Sequence, residues 1–95
     1  MFVPELAAFY ERIVRDNRVT VTHISLYMAM FHIWNLAAYS SPISVSRSQL
    51  MRLSKIASRT TYHNHMKELV DFGYIKYIPS YHPVLGSQVW LEWGI

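Results

Sequence analysis

The stretch from Ser58 to Ile75, SRTTYHNHMKELVDFGYI, predicts one helix of about four turns that ends at a glycine and leads into a strand. Ser58 is a suitable N-cap because its hydroxyl can accept a hydrogen bond from an amide of the first turn. Gly73 fits the position after the last turn, where a left-handed backbone costs glycine little. Apolar residues recur at three- and four-residue steps and predict a buried stripe of Tyr62, Met66, Leu69 and Phe72.

The opposite face of this predicted helix is short, polar and net basic, and it carries Thr60, His63, Asn64 and Lys67. Arg59, Thr60 and Thr61 project from its N-terminal end, where the helix dipole is positive. A helix divided in this way can enter the major groove of DNA while its other side holds the domain together.

The run from Ile56 to Tyr62, followed by Leu69 and by Gly73-Tyr74-Ile75, resembles the recognition helix of bacterial winged helix-turn-helix regulators. The resemblance extends from about Val45 to about Leu91, roughly half of the chain. It implies that Arg59, Thr61 and His63 stand where this family often places contacts to bases and phosphates. His63 departs from the pattern, since many relatives carry an arginine or a lysine there.

The residues before this helix predict its partner elements. Ile43-Ser44-Val45 alternates like a short strand that pairs with the wing, and Ser46 caps a short helix from Arg47 to about Leu53. Residues 54–57 form the turn between the two helices, with Ile56 tucked between them. The start of the short helix suits a DNA phosphate, and the turn exposes a lysine, so the phosphate candidates here are Ser46, Arg47, Ser48 and Lys55.

After Gly73 the hydrophobic period changes to that of strands. Tyr74–Ile78 and Gln88–Glu92 alternate, and residues 79–87 between them are rich in turn formers. We expect a β-hairpin, the wing, with Ile75, Val89 and Leu91 facing the core. The residues expected to reach a phosphate or the minor groove are Lys76, Ser80, Tyr81 and His82.

The N-terminal half predicts two further helices. Val3 to about Asp16 is amphipathic, with an apolar stripe of Leu6, Phe9, Tyr10 and Ile13, whereas Glu11, Arg12 and Arg15 are expected to face water. This helix either packs on the domain's own core or serves as a dimerisation arm that pairs two copies of the chain. From His23 to Tyr39, after an N-cap at Thr22, the chain is apolar nearly all round. Because His32 and Asn35 interrupt a stretch that is short for a membrane span, we expect a buried central helix.

Composition sets the outer limits. Ninety-five residues suit one domain over 1–95, with an N-terminal helix in 1–20 and the winged part in 21–95. The expected class is mainly α with a small antiparallel β-hairpin (α+β). A net charge of +3 suits a polyanionic partner. The lack of cysteine excludes disulfides, thiol catalysis and thiolate metal sites, and without a recognisable signal peptide we expect a cytoplasmic protein.

Catalysis and metal binding find little support in the sequence. The six acidic residues are scattered, no serine has an identifiable base, and no glycine-rich phosphate loop is present, so we expect no enzyme and no cofactor. His63 and His65 lie roughly 200° apart around a helix and cannot share a metal ion. No nearby carboxylate is expected to complete a ligand set with either, and zinc is therefore not predicted.

The function expected from these patterns is sequence-specific binding of double-stranded DNA, with transcriptional regulation as the role. The residues assigned to it are Arg59, Thr60, Thr61, His63, Asn64, Lys67, Ser46, Arg47, Ser48, Lys55, Lys76 and His82, and a homodimer through the N-terminal helices is expected. Two alternatives stay open: an accessory DNA-binding module for replication or transfer of a mobile element, and a winged domain that binds other proteins without contacting DNA.

Overall fold

The structure, a computed structural model, describes residues 4–80 and 86–92, and these form four helices and three strands. They are α1 (Pro4–Ile13), α2 (Val21–Leu36), β1 (Ile43–Val45), α3 (Arg47–Ser54), α4 (Arg59–Asp71), β2 (Ile75–Ile78) and β3 (Ser87–Leu91). The strands form one antiparallel sheet, so the expected α+β class, mainly helical with a small antiparallel sheet, is confirmed.

The sheet has the order β1-β3-β2, with Ile43 opposite Val89 and Ile75 opposite Leu91. Successive strand residues point to opposite faces, and the face turned inward is buried at Ile43, Val45, Ile75, Val89 and Leu91. The predictions that the first strand pairs with the hairpin and that its aliphatic residues face the core are both confirmed. The hairpin strands differ from their predicted ends by no more than one residue.

The central helix α2 is packed by other elements on several sides, as its apolar sequence predicts. Leu26, Tyr27 and Met30 are fully buried, and the helix contacts α3, α4 and β1. Among the described residues, no helix combines the length and the apolarity that crossing a bilayer requires.

The start of α2 differs from the prediction. The helix begins at Val21 and its N-cap is Thr20, not Thr22. The reason is a side chain three residues into the helix: His23 Nδ1 lies 2.9 Å from the backbone nitrogen of Thr20 and can accept its hydrogen bond. In this position a glutamate or glutamine is the usual partner, and an imidazole takes its place here.

Helix α1 packs on the core of its own chain. Phe9 is 1% exposed and its ring stacks on Tyr27, with centroids 3.8 Å apart. Ile13 is also buried, whereas Tyr10 and Val14 are exposed. The helix ends at Ile13, before the predicted Asp16, because the Asp16 carboxylate accepts the backbone amide of Arg18 and holds the chain in a turn.

Arg12 was expected to face water, and this expectation is wrong. Its guanidinium donates hydrogen bonds to the carbonyl oxygens of Phe72 (2.8 Å) and Gly73 (3.0 Å). The same group lies over the ring of Tyr74, 3.9 Å from its centroid. Phe72 is the C-cap of α4, whose carbonyl the helix leaves unpaired, and Gly73 is the next residue. Arg12 therefore attaches α1 to the end of α4.

A second polar contact fixes the same end of α4. The Asp16 carboxylate accepts hydrogen bonds from the Arg18 guanidinium and from the Tyr74 hydroxyl, each at 2.8 Å. The bond from Arg18, and then that from Tyr74, hold the pKa of Asp16 well below its ordinary value. Burial, and then the bond to Asp16, raise the pKa of Tyr74 to about 12, so this hydroxyl is a donor at neutral pH.

Candidate nucleic-acid interface

Two consecutive N-caps and a left-handed residue place α4 relative to α3. Ser46 Oγ accepts from the amide of Gln49 (3.1 Å), and Ser58 Oγ accepts from the amide of Thr61 (3.2 Å), so both predicted caps are confirmed. Between them Lys55 adopts a left-handed backbone with φ of 67°, and Ile56 is buried. The turn and the buried isoleucine together join two helices through a short connection.

The two faces of α4 are divided as the sequence predicts. Tyr62, Met66 and Leu69 are all at most 3% exposed, and Phe72 is half-buried against the core. On the opposite face Thr60, His63, Asn64 and Lys67 are all exposed to solvent. This arrangement is the one that the DNA-binding hypothesis requires, because covering these four side chains would exclude a major-groove contact.

The neighbours of these four residues modify the surface. Arg59 is exposed at the first position of α4, whereas Thr61 is half-buried. Val70 and Asp71 are exposed in the last turns of α4 and were not expected to contribute to the surface. The carboxylate of Asp71 would repel a DNA phosphate. The part of α4 that is suited to contact DNA is therefore its N-terminal two-thirds.

The phosphate candidates of α3 lie at its two ends. Ser46, Arg47 and Ser48 are exposed at the start, and Lys55 is exposed immediately after the end. The hydroxyl oxygen of Ser46 accepts a hydrogen bond in the cap, and its O–H can still donate to a phosphate oxygen.

The described part of the hairpin contributes less to this surface than the sequence suggests. Lys76 is exposed, but its ammonium group lies 3.4 Å from the Glu92 carboxylate, which reduces its charge toward a phosphate. Ser80 is half-buried and its backbone amide donates to Ser87 Oγ. Tyr81 and His82 lie outside the described residues, as does most of the predicted wing tip.

A polar cluster next to this face was not predicted. His23 Nε2 of α2 lies 3.0 Å from a Glu68 carboxylate oxygen of α4, and the rings of His23 and His65 have centroids 4.4 Å apart. The expectation that no carboxylate completes a ligand set with His65 is therefore wrong, since these three residues place potential metal-ligand atoms within 4.8 Å of one another. The spacing of His65 and Glu68, three residues apart on one helical face, is the signal that the sequence contained. Nothing in the sequence indicated that His23 joins them.

His23 is 2% exposed, and its charge state follows from that burial. Burial lowers the pKa of His23 below its ordinary value, and the hydrogen bond to Glu68 opposes this shift only in part. The ring is therefore neutral near pH 7. A neutral imidazole can donate from one nitrogen and accept at the other.

Comparison with protein-family models, with characterised proteins and with solved structures finds no match to this chain. Its function is therefore inferred from the geometry of the described residues.

Proposed function

We propose that this chain is a winged-helix domain that binds double-stranded DNA sequence-specifically and regulates transcription. The order of its elements supports the proposal: a short strand precedes two helices joined by a turn, and a β-hairpin follows them. The single observation that carries it is the outward face of α4, where Thr60, His63, Asn64 and Lys67 are exposed while the reverse of the helix is buried.

The N-terminal half of α4 supplies the groups that read bases in the proposed complex. An arginine pairs with the O6 and N7 atoms of guanine, and an asparagine pairs with the N6 and N7 atoms of adenine. Arg59 and Asn64 are both exposed, so Arg59 is available to pair with a guanine and Asn64 with an adenine. Thr60 and His63 lie between them on the same face and complete the proposed base-reading set.

A second group sets the register of the protein through phosphates, which carry no sequence information. It consists of Ser46, Arg47, Ser48, Lys55, Thr61, Lys67, Lys76 and His82, the last of which lies outside the described residues. The start of α3 adds free backbone amides, whose partial charges favour an anion.

Two substitutions separate these roles. A preferred duplex is first selected from a random library with the purified chain, and variants are then titrated against that duplex and its single-base changes. Arg59→Ala is expected to bind the preferred duplex about 1–3 kcal/mol more weakly. It should also distinguish less between that duplex and the variants changed at the one base pair that Arg59 contacts. Lys67→Ala is expected to weaken every duplex alike. Arg15→Ala, which removes the same charge from an exposed residue of the N-terminal segment, is the control.

Salt dependence tests whether phosphates are contacted at all. Four proposed cations, Arg47, Lys55, Lys67 and Lys76, predict a slope of log K against log salt of about −3 to −4, and Lys67→Ala should reduce its magnitude by about 1. An equal loss across all duplexes for Arg59→Ala would reject that residue as a reader. Absence of binding even at low salt would overturn DNA binding and favour the protein-interaction alternative.

The location of the selected sequence in a genome distinguishes the remaining roles. A site at a promoter supports regulation, whereas a site at an origin of replication or transfer supports the mobile-element alternative.

A further inference from the structure

Three side chains from two helices meet at the edge of an open groove of about 590 Å³. They are His23 of α2 and His65 and Glu68 of α4, and one potential ligand atom from each lies within 4.8 Å of the other two. Ligands of a tetrahedral Zn²⁺ ion lie about 3.4 Å apart, because each is about 2.1 Å from the metal. The separation of His23 Nε2 and Glu68 Oε1, 3.0 Å, is already close to that value.

The hydrogen bonds of His65 prepare it as a ligand. Its Nδ1 lies 2.7 Å from the backbone carbonyl oxygen of Thr61, which can only accept a hydrogen bond. In the neutral ring the proton is therefore on Nδ1, and Nε2 carries the lone pair. An imidazole that donates one N–H to a carbonyl and keeps the other nitrogen free is the usual state of a metal-bound histidine.

The neutral ring of His23 has two tautomers, and Thr20 can form a hydrogen bond with Nδ1 in either of them. Its Nδ1 lies 2.9 Å from the backbone nitrogen of Thr20 and 2.9 Å from the Thr20 hydroxyl oxygen. Without an ion, Nδ1 accepts the amide N–H and Nε2–H donates to Glu68. With an ion, Nδ1–H donates to the hydroxyl, and the lone pair of Nε2 is directed at the position beside Glu68. The amide bond is then lost, which lowers affinity without preventing coordination.

We propose that His23, His65 and Glu68 form a Zn²⁺-binding site, with water from the groove in the fourth position. Two imidazoles and one carboxylate are a ligand set that zinc takes in proteins. Binding shifts the ring proton of His23 from Nε2 to Nδ1, so the ion takes the place of this proton between His23 and Glu68. Because the ligands come from both α2 and α4, the ion connects two helices of the core. The site does not depend on DNA binding.

The test is a titration of the purified, untagged full chain with Co²⁺ and then Zn²⁺, in the absence of DNA. The visible spectrum of Co²⁺ reports coordination geometry, and Zn²⁺ should displace it competitively. We expect one ion per chain, a tetrahedral or five-coordinate spectrum, and a melting temperature that rises with Zn²⁺ once its concentration exceeds the Kd.

Variants assign the ligands. His65→Asn and Glu68→Gln should each weaken binding at least about tenfold, and Thr20→Val, which removes the acceptor for His23 Nδ1, should weaken it about 10–100-fold. Glu68→Gln keeps an oxygen that can accept from His23, so its fold should be retained. The control is His63→Asn, an exposed histidine on the outward face of α4, which should bind as the unmodified chain does.

Three results would overturn the proposal: no Co²⁺ or Zn²⁺ bound at millimolar concentration, unchanged affinity in both His65→Asn and Glu68→Gln, or loss of binding in His63→Asn. Circular dichroism of each variant shows whether it is folded. A variant that is unfolded is replaced by His65→Gln or Glu68→Ala, and the same criteria apply.

Discussion

At the scale of single residues, Arg12 is the side chain that connects the N-terminal helix to the end of α4. It contacts two backbone carbonyls and one aromatic ring, so it contributes both hydrogen bonds and packing. A cation at a helix C-terminus also interacts favourably with the dipole.

Replacing this arginine should destabilise the fold. We expect Arg12→Met to lower the free energy of unfolding by about 1–2 kcal/mol, because two carbonyls lose a charged donor while the aliphatic packing is mostly retained. The measurement is urea unfolding followed by circular dichroism. Arg15→Met, an exposed arginine three residues later, should change stability by no more than about 0.5 kcal/mol. Equal stability of the two variants would show that the contacts of Arg12 contribute nothing.

Asp16 makes stability depend on acid pH. Its side chain is 12% exposed, and its pKa is lowered first by the hydrogen bond from Arg18 and then by that from Tyr74. The unfolded chain, with an aspartate pKa of about 3.9, therefore takes up the proton first as the pH falls. The stabilisation by Asp16 is present above about pH 4 and is lost progressively below it.

The corresponding prediction compares melting temperatures at pH 6 and pH 3. Asp16→Asn should be less stable than the unmodified chain at pH 6, and should lose less of its stability between the two values. Asp71→Asn removes the same charge from an exposed side chain and should keep the acid sensitivity. Acid sensitivity that is unchanged in Asp16→Asn would locate its source in another carboxyl group.

At the scale of elements, α4 depends on its first turn, because that turn carries much of the proposed DNA surface. The hydroxyl of Ser58 satisfies one amide that the helix would otherwise leave unpaired. The other side of the helix is anchored by Tyr62, Met66 and Leu69, so loss of the cap should loosen the first turn without releasing the helix.

We therefore expect Ser58→Ala to reduce stability by about 1 kcal/mol. Ser48→Ala, at an exposed position inside α3, should change it by no more than about 0.5 kcal/mol. Thermal unfolding measures both, and hydrogen exchange should be faster at the amides of Arg59 to Thr61 in Ser58→Ala alone. If the two serine variants were equally stable, the cap would not contribute to the fold.

At the scale of the whole molecule, dimerisation through the N-terminal helices stays a prediction, and the structure restricts how it could occur. Phe9 and Ile13 pack inside the chain, so the exposed large apolar side chains that the described part of this segment offers to a partner copy are Tyr10 and Val14. A dimer with two-fold symmetry would bind two half-sites about one helical turn of DNA apart.

Molecular mass in solution, measured with and without duplex DNA, tests this prediction. We expect a dimer on DNA, and we expect Val14→Glu to weaken it by placing a charge in the contact. Leu36→Glu, which changes an equally exposed apolar residue at the end of α2, is the control. Dimerisation would be contradicted if the chain were a monomer at every concentration without DNA and also bound as a monomer to a DNA site that contains no repeat.

Local sequence patterns were sufficient to predict the elements that carry the candidate DNA surface. Ser46 and Ser58 marked the starts of α3 and α4, and the three- and four-residue steps of the apolar residues correctly divided the faces of α4. These signals act within a few residues of sequence, since caps and periodicity depend on neighbouring backbone groups. They required no knowledge of the rest of the fold.

Contacts between distant segments were decided by the tertiary structure. Periodicity states which residues share a face of one helix, but not which faces of separate helices meet. Arg12 reaches Phe72 and Gly73, and His23 meets Glu68, across intervals of about sixty and 45 residues. The sequence therefore determined the two-sided α4, whereas only the packing of α1 and α2 against it created the capped C-terminus and the histidine–glutamate cluster.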